Sequence, residues 1–362
     1  MSTPHMERFM KVYATIQEYL LEDAVKNMAL DPTRRNYLKS MMDTTCLGGK
    51  YIRGITVVDI VDTLTKHVEG EEKEAILFEA SVCGWMIEML QAHFLIEDDI
   101  MDHSITRRGK PCWYRFPGVT TQSAINDGLI VLAWCTELAY KYFSHRPALA
   151  PLLRIFHKGD YQTTMGQLYD VTSMRDSENI NAELPQEVTK TYKDFTFPTW
   201  QRIVKFKTAF YTFHLPLAMG LIVCERTGID AVNPALVEEA AMIMGEYFQA
   251  QDDFMDCFTP PEILGKIGTD IQDVKCSWLA VNFLACANEE QVATFKANYG
   301  TEEGINSIKE LYTATDMKGK FAAYEATMIA NLEVVITKIE AESTLFATAC
   351  REMWNKTHKR TK

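Results

Sequence analysis

Helical periodicity along nearly the whole chain is the feature that most constrains what these 362 residues can fold into. Apolar side chains recur at steps of three and four, as in Phe9, Val12, Tyr13 and Ile16, which places them on one face of a helix. No stretch alternates with the two-residue period of a half-buried strand. Glycine and proline number only 18 and 12, so the turns that a many-stranded protein needs are scarce. The sequence therefore predicts an all-α protein.

One polar interruption, at about 174–198, is longer than the other breaks in the helical pattern. It contains Pro185 and Pro198, and the helical pattern resumes at Trp200 without a change in composition. We therefore interpret it as an insertion-like loop and not as a linker between domains. The expected organisation is a single large helical domain over residues 1–362.

Charge and cysteine content limit the partners and the compartment. The 37 basic and 49 acidic residues leave a net charge of −12, which repels a phosphate backbone and argues against nucleic-acid binding. Nine cysteines without a C-x-x-C pattern indicate reduced thiols. The longest apolar run, 129–135, is too short to span a bilayer, and the acidic N-terminus does not resemble a signal peptide. We expect a cytoplasmic protein with no membrane association.

The pattern Asp-Asp-x-x-Asp occurs twice, in a first Asp box at 98–102 and a second Asp box at 252–256. On a helix its first and last carboxylates lie one turn apart on the same face. Carboxylates this close repel each other, and a cation relieves the repulsion. Magnesium prefers oxygen ligands, takes one or two carboxylates and completes its shell with water and substrate phosphate. The boxes therefore predict Mg²⁺ ions that bind a diphosphate.

Basic residues that could hold such a diphosphate occur in clusters. Lys50 and Arg53 follow Gly48 and Gly49, a pattern that predicts an anion site at the start of a helix. A denser cluster follows the first Asp box, and single lysines lie further along the chain. These residues are Arg107, Arg108, Lys110, Lys207, Lys266 and Lys275.

Taken together, these motifs resemble those of trans-isoprenyl diphosphate synthases, and they occur in the order typical of that family. The motifs are 49–53, the first Asp box followed by Arg107-Arg108-Gly109, Gly166-Gln167, 207–211, and the second Asp box followed by 265–270. The resemblance is strongest to the eukaryotic branch that forms farnesyl diphosphate. It implies an all-α domain of the isoprenoid synthase type, with a central cavity between two Asp-rich helices, in a homodimer.

The resemblance also implies roles for individual residues. Asp98, Asp102 and Asp252 would ligate a cluster of three Mg²⁺ ions, with Asp99 and Asp256 in direct or water-mediated support. The allylic diphosphate would be bound by Arg107, Lys207 and Lys266. The diphosphate of isopentenyl diphosphate would be bound by Lys50, Arg53, Gln91 and Arg108, with Arg360 as a contact of a C-terminal lid. Thr208, through its backbone carbonyl, and Gln249 would face the allylic carbon chain.

The implied reaction is the head-to-tail condensation of isopentenyl diphosphate with dimethylallyl diphosphate and then geranyl diphosphate. His93 and Phe94 precede the first Asp box by about one helical turn, so bulky side chains there are expected to stop elongation at fifteen carbons. Farnesyl-forming members of the family usually have an aromatic residue at both positions, and His93 departs from that pattern. A geranylgeranyl or other chain-length synthase is therefore the alternative.

Two further alternatives are a terpene cyclase and a non-catalytic helical regulatory subunit. Cyclases usually replace the second box by a mixed Asn, Ser and Glu metal site, whereas the second Asp box here is complete. A non-catalytic relative is expected to lose metal ligands, and none is missing from either box. Both alternatives are therefore disfavoured.

Overall fold

A computed structural model of the chain describes residues 4–173, 192–264 and 268–358. Most of these residues are helical, and the strands among them are two segments of two residues each. The prediction of an all-α protein is confirmed. The predicted loop at 174–198 lies outside the described residues up to 191, and its last two residues already belong to a helix that begins at Phe197.

Long helices make up the N-terminal part of the chain. Its elements are α1 (Pro4–Met28), α2 (Pro32–Thr45), α3 (Ile52–Leu64), α4 (Gly70–Met101), β1 (Thr106–Arg107), β2 (Lys110–Pro111), a 3-10 turn (Trp113–Arg115), α5 (Thr121–Phe143) and α6 (Leu149–Ser173). The strands β1 and β2 pair antiparallel, with Thr106 opposite Pro111 and Arg107 opposite Lys110.

A π-helical segment interrupts the α-helices in the remaining part. The elements are α7 (Phe197–Val204), the π-helix (Lys205–His214), α8 (Leu215–Cys224), a 3-10 turn (Glu225–Thr227), α9 (Pro234–Phe258), α10 (Pro261–Leu264), α11 (Trp278–Cys286), α12 (Glu289–Asn298), α13 (Ile305–Ala314), α14 (Met317–Glu342) and α15 (Thr344–His358).

Capping residues set the start of several helices. Asp31 accepts the backbone N–H groups of Thr33 and Arg34 at 2.9 and 3.0 Å, and Pro32 occupies the first position of α2. Asn233 caps α9 in the same way by accepting the N–H of Ala235 at 3.0 Å. These local signals explain why the helices begin where the chain breaks its apolar pattern.

The fold divides into two compact units. Unit 1 comprises Met1–Asp160 and Leu215–Ala231, and unit 2 comprises Tyr161–His214 and Val232–Lys362. The expectation of a single domain over 1–362 stays a prediction.

The core of unit 1 is built around α4, which packs against α3, α5 and α8. A Cβ atom on Gly84 would lie 2.5 Å from the carbonyl oxygen of Gly54, so α3 and α4 meet backbone to backbone. Phe9 of α1 stacks on Trp85 with ring centroids 4.4 Å apart, and the Trp85 Nε1–H donates to the Phe9 carbonyl at 2.7 Å. These close contacts fix the position of α4, the helix that contains the first Asp box.

The core of unit 2 places α9 against the π-helix and against α14. Gly245 of α9 lies against Ala209, and Gly166 of α6 lies against the backbone of Lys207, with no room for a Cβ at either glycine. Two glycines therefore allow α6 and α9 to approach the π-helix closely. This packing holds the segment that contains Lys207 and Thr208.

Two helical stretches of the described chain are long and apolar enough to cross a membrane by composition alone. They are α4 and the continuous run 197–227, and 83% and 72% of their apolar windows are buried within the protein. Burial on this scale is typical of core helices.

Candidate active site

The first Asp box lies at the C-terminal end of α4. The helix ends at Met101, and Asp102 is the first residue beyond it, with its N–H donating to the Asp98 carbonyl at 2.8 Å. The side chain of Asp98 is 21% exposed, whereas that of Asp99 is 4% exposed. Asp98 therefore offers a carboxylate to solvent, and its neighbour does not.

The buried carboxylate of Asp99 binds the guanidinium of Arg107. The Arg107 Nη2 lies 2.5 Å from Asp99 Oδ1 and 3.7 Å from Asp98 Oδ2, and Nε donates to Asp99 at 3.1 Å. Burial alone would lower the pKa of Arg107, but the hydrogen bond and the charge of Asp99 raise it above its ordinary value. The structure thus brings together Arg107 and the first Asp box, and the metal-supporting role of Asp99 stays a prediction.

The β1–β2 hairpin separates two adjacent arginines. Arg108 and Gly109 both have positive φ, at 53° and 72°, as a type I′ two-residue turn requires. Arg107 reaches back to the Asp box, whereas Arg108 Nη1 donates to the carbonyl of Leu47 at 2.8 Å. The basic cluster that the sequence contains as one group is therefore split between two places.

Arg108 lies beside the glycine pair that precedes α3. A Cβ on Gly49 would lie 3.1 Å from Arg108 Nη2, so the guanidinium packs closely against this glycine. Lys50 follows in an exposed position, and Arg53 is partly buried in the first turn of α3. Three of the four residues predicted for isopentenyl diphosphate thus lie along this loop and hairpin, and Gln91 lies partly exposed on α4.

A cavity in unit 1 lies between the hairpin and α4. Arg107, Arg108 and Lys110 contribute basic groups to its lining, and Ile96 and Trp113 contribute apolar surface. The combination suits a ligand with an anionic group, because the positive charges lie next to a surface that excludes water.

At the predicted anion site at the start of α3, the side chain of Glu88 already occupies part of the backbone N–H groups. Glu88 was not identified from the sequence. Glu88 is buried, its Oε1 accepts the N–H of Gly54 at 2.8 Å, and it also accepts the N–H of Arg53. Burial raises the pKa of Glu88, and Arg53 opposes that rise. The N–H groups of Arg53 and Gly54 therefore already have an anionic acceptor, and the phosphate contacts predicted for this site are those of the Lys50 and Arg53 side chains. A Glu inside an otherwise apolar stretch of α4 was the available signal.

His93 and Phe94, the residues predicted to limit product length, lie next to each other with ring centroids 5.2 Å apart. His93 is buried, and its Nδ1 lies 2.9 Å from the carbonyl oxygen of Gly128 on α5. Because a carbonyl only accepts, Nδ1 carries the hydrogen. Burial lowers the pKa of His93, which favours the neutral ring. The role of both residues in product length stays a prediction.

In unit 2, Lys207 belongs to a buried ion cluster. Its Nζ lies 2.5 Å from Asp170 Oδ2, and the Nζ of Lys275 lies 3.2 Å from the same oxygen. Burial would raise the pKa of Asp170, but the two lysines lower it to about 2. Asp170 was not singled out from the sequence. The predicted residues Lys266 and Arg360 lie outside the described residues.

Thr208 and Gln249, predicted to face the allylic chain, are in contact. The hydroxyl of Thr208 donates to Gln249 Oε1 at 3.1 Å, and Gln249 Nε2 donates to Asp253 Oδ1 at 2.9 Å. The structure therefore joins a predicted pair and adds a third member, Asp253.

The second Asp box lies within α9, and its carboxylates have different surroundings. Asp252 is partly exposed, whereas Asp253 and Asp256 are buried. Asp256 accepts the backbone N–H groups of Asp270 and Thr269 at 3.0 and 3.3 Å. Asp256 thus holds the loop that follows α10, and its predicted part in metal binding stays a prediction.

The partly exposed carboxylates of the two Asp boxes are oxygen donors of the kind that Mg²⁺ prefers. Among residues 4–173, 192–264 and 268–358, no group of three or more His, Cys, Asp and Glu side chains is arranged to hold a metal ion. Each box instead presents a partly exposed first carboxylate, Asp98 or Asp252. Magnesium commonly takes one or two carboxylates together with waters and substrate phosphates, so these oxygen donors suit it.

Comparisons with known proteins agree with the motifs. The polyprenyl synthetase family model matches residues 35–315. Farnesyl pyrophosphate synthase 2 of Parthenium argentatum is 38% identical over 342 residues, which cover 94% of this chain and 93% of the relative. Farnesyl pyrophosphate synthase of Panax ginseng is 39% identical over 321 residues, 88% of each chain.

Solved structures agree as well. A T. brucei farnesyl diphosphate synthase complexed with risedronate is 53% identical, with a TM-score of 0.92 over 99% of this chain and 100% of that one. A further structure of the T. brucei enzyme has a TM-score of 0.93 at 52% identity, covering 98% of this chain and 99% of that one. The family predicted from the motifs is confirmed, and the chain belongs to the polyprenyl synthetase family.

Proposed function

We propose that this protein is a magnesium-dependent prenyltransferase that condenses isopentenyl diphosphate with dimethylallyl diphosphate, and then with geranyl diphosphate, to form farnesyl diphosphate. The observation that carries the proposal is the set of groups around the hairpin of unit 1. Asp98 lies at the end of α4, 3.7 Å from the guanidinium of Arg107 in β1, and Arg108 lies beside the loop that contains Lys50. Relatives that share 38–39% of the sequence are named farnesyl pyrophosphate synthases.

The predicted residues have distinct parts in the proposed reaction. Both Asp boxes bind the Mg²⁺ ions, three in number, which neutralise the leaving diphosphate when bound. Arg107, Lys207 and Lys266 bind the allylic diphosphate. Lys50, Arg53, Gln91 and Arg108 bind isopentenyl diphosphate, with Arg360 as a lid contact.

The reaction then needs no nucleophile from the protein. The allylic C–O bond ionises, and the resulting carbocation is stabilised by the oxygen dipoles of Thr208 and Gln249 while water is excluded. The double bond of isopentenyl diphosphate attacks the cation. A proton leaves the adduct for the departing pyrophosphate, and the new double bond forms.

The experiment that tests the function is a product assay with Mg²⁺, isopentenyl diphosphate and either allylic substrate. Chromatography of the dephosphorylated products is expected to show the fifteen-carbon alcohol, and EDTA is expected to abolish it. A twenty-carbon product would favour the geranylgeranyl alternative, for which the departure at His93 is the supporting observation. Cyclic hydrocarbons, or no product, would exclude the proposed reaction.

The proposal includes a homodimer formed through one face of α5. Ile125, Leu129 and Tyr140 are 43%, 56% and 52% exposed, and their spacing places them on the same side of the helix. An exposed apolar stripe of this kind is typical of a protein interface. Light scattering is expected to give twice the chain mass, and Leu129→Glu is expected to shift it toward one chain mass. A monomeric wild-type enzyme would contradict this part of the proposal.

The proposed compartment is the cytoplasm. All nine cysteines are unpaired thiols, and eight of them are buried. Unpaired thiols suit a reducing compartment. Fractionation of cells that express the native protein is expected to recover it with cytoplasmic markers, and recovery with membranes would contradict this assignment.

A further inference from the structure

We infer that Asp253 is a positioning residue that fixes the direction of the hydrogen bonds between Thr208 and Gln249. It thereby leaves the lone pairs of the Thr208 hydroxyl, and not its proton, for the allylic cation. This inference rests on the proposed function, because it assumes that Gln249 and Thr208 face the allylic chain, Thr208 with its hydroxyl as well as with the backbone carbonyl that the resemblance implies.

The surroundings of Asp253 consist of hydrogen-bond donors. Its carboxylate is 5% exposed, and Oδ2 accepts the indole N–H of Trp200 at 2.9 Å and the backbone N–H of Trp278 at 2.6 Å. Oδ1 accepts from Gln249 Nε2 at 2.9 Å. A carboxylate that meets only donors behaves as an acceptor at both oxygens.

An acceptor at that position determines the orientation of the Gln249 amide. Oxygen and nitrogen of a glutamine amide look alike in shape, so only the hydrogen-bond partners assign them. Asp253 requires the NH₂ group on its side, which turns Oε1 toward Thr208. Because an amide oxygen cannot donate, the Thr208 hydroxyl must donate its proton across the 3.1 Å contact.

The direction matters for a reaction that develops positive charge. With its proton committed to Gln249, the Thr208 oxygen has only lone pairs to offer to other groups. Preorganised negative dipoles stabilise a developing cation, whereas a proton at the same point would repel it. The accepting oxygen of Asp253 thus acts on the reaction through two neutral side chains.

An isosteric change should reverse the whole chain of bonds. In Asp253→Asn, the atom that faces Trp200 and Trp278 must remain oxygen, because both partners are donors. The new amide nitrogen then faces Gln249, whose own amide must turn over to offer Oε1. Its NH₂ group then points at Thr208, which becomes an acceptor and releases its proton toward another direction.

The same reasoning identifies a compensating change. In the double variant Asp253→Asn with Gln249→Glu, a carboxylate at position 249 can accept both from the new amide and from the Thr208 hydroxyl. The direction of the Thr208 hydrogen bond is then restored without changing the net charge of the pair. A role of Asp253 in packing alone gives no reason for the second substitution to help.

The test compares the two variants with the wild-type enzyme in the presence of Mg²⁺, geranyl diphosphate and isopentenyl diphosphate. Asp253→Asn is expected to lower kcat by about 10²-fold, the effect of one misdirected electrostatic group, with the KM for isopentenyl diphosphate unchanged. The double variant is expected to recover at least about tenfold of that loss. Asp230→Asn, an exposed change of the same kind, serves as the control and is expected to match the wild type.

Several outcomes would overturn the inference. Wild-type kcat in Asp253→Asn would do so, and so would a double variant no faster than the single one. Should Asp253→Asn fail to fold, as its Tm would reveal, Gln249→Glu and Gln249→Leu decide the matter. Gln249→Glu keeps an acceptor for the Thr208 hydroxyl, so its kcat is expected to exceed that of Gln249→Leu by about tenfold. Equal kcat values in the two variants would refute the inference. A wild-type enzyme without product would instead refute the proposed function.

Discussion

Lys207 and Lys275 share one oxygen of Asp170, at 2.5 and 3.2 Å from Oδ2. The carboxylate is buried, and the lysine side chains are 26% and 19% exposed. Asp170→Asn removes the buried charge that both lysines share, so we expect the free energy of unfolding to fall by about 2 kcal/mol, less than for a fully buried pair. Urea titration at pH 7 measures the loss.

The ion cluster of Asp170 with the two lysines also predicts that stability depends on pH. The pKa of Asp170 in the folded protein is about 2, below that of the unfolded chain near 4. Its contribution is therefore complete above about pH 4 and disappears as the pH falls toward 2. The stability difference between wild type and Asp170→Asn should narrow as the pH falls from about 4 to about 2. A difference that stays constant, or one that the exposed control Asp273→Asn reproduces, would contradict the ion cluster.

Loss of either exposed box carboxylate should impair turnover more than folding. We expect Asp98→Ala and Asp252→Ala each to lower kcat by at least about 10²-fold, because each removes an electrostatic stabiliser of the leaving diphosphate. Steady-state kinetics measure kcat, and Tm reports whether the variants remain folded. Near-normal turnover in both variants would refute the proposed metal ligands.

Product length should respond to the residues one turn before the first Asp box. His93→Ala combined with Phe94→Ala is expected to shift products beyond fifteen carbons, because two bulky side chains are removed at once. His93→Phe keeps the bulk while it loses the hydrogen bond to Gly128, so it is expected to retain the fifteen-carbon product. Chromatography of the products measures both, and an unchanged distribution in the double variant would remove these residues from the pocket floor.

His5, near the N-terminus, predicts a pH dependence of stability that is opposite to that of Asp170. His5 Nδ1 lies 2.7 Å from Asp59 and Nε2 lies 3.3 Å from Asp62, and the hydrogen bond with Asp59 is the largest cause that raises its pKa. Its contribution to stability is therefore complete below the unfolded pKa of about 6.5 and is lost as the pH rises through the higher folded value.

The corresponding variant is His5→Gln. We expect it to cost up to about 1 kcal/mol at pH 5.5, because the pair is partly exposed, and almost nothing at pH 9. Thermal unfolding at the two pH values compares the variant with the wild type. An equal loss at both values would show that the charge of His5 does not stabilise α1 against α3.

Local sequence patterns were sufficient for the helices and for the two Asp boxes. Periodicity and capping act within a few residues, so Asp31-Pro32 and the apolar steps of α1 predict their own helix. The Arg107-Arg108 pair was predicted as a phosphate-binding cluster, and the separation of the two side chains depends on the positive φ of Arg108. That backbone conformation has no signature in the residue itself.

The contacts that the sequence did not identify, including those of Asp253 within the second Asp box, all join residues that are far apart in the chain. Glu88 binds Gly54, 34 residues away, Asp170 binds Lys207, 37 residues away, and Asp253 binds Trp200, 53 residues away. A buried acid has the same letter as an exposed one, and its partners follow only from tertiary packing. Such contacts become visible only in the folded structure.

The π-helix at Lys205–His214 has a consequence for the evolution of this protein. A π-helix has more residues per turn than an α-helix. The side chains of this stretch therefore point in directions that an α-helix of the same sequence would not give them. Deletion of one residue would let the stretch rewind toward an α-helix and would change which of its side chains face α9. Thr208 would then no longer meet Gln249. The number of residues in this segment is therefore expected to tolerate change less well than the identity of most of them.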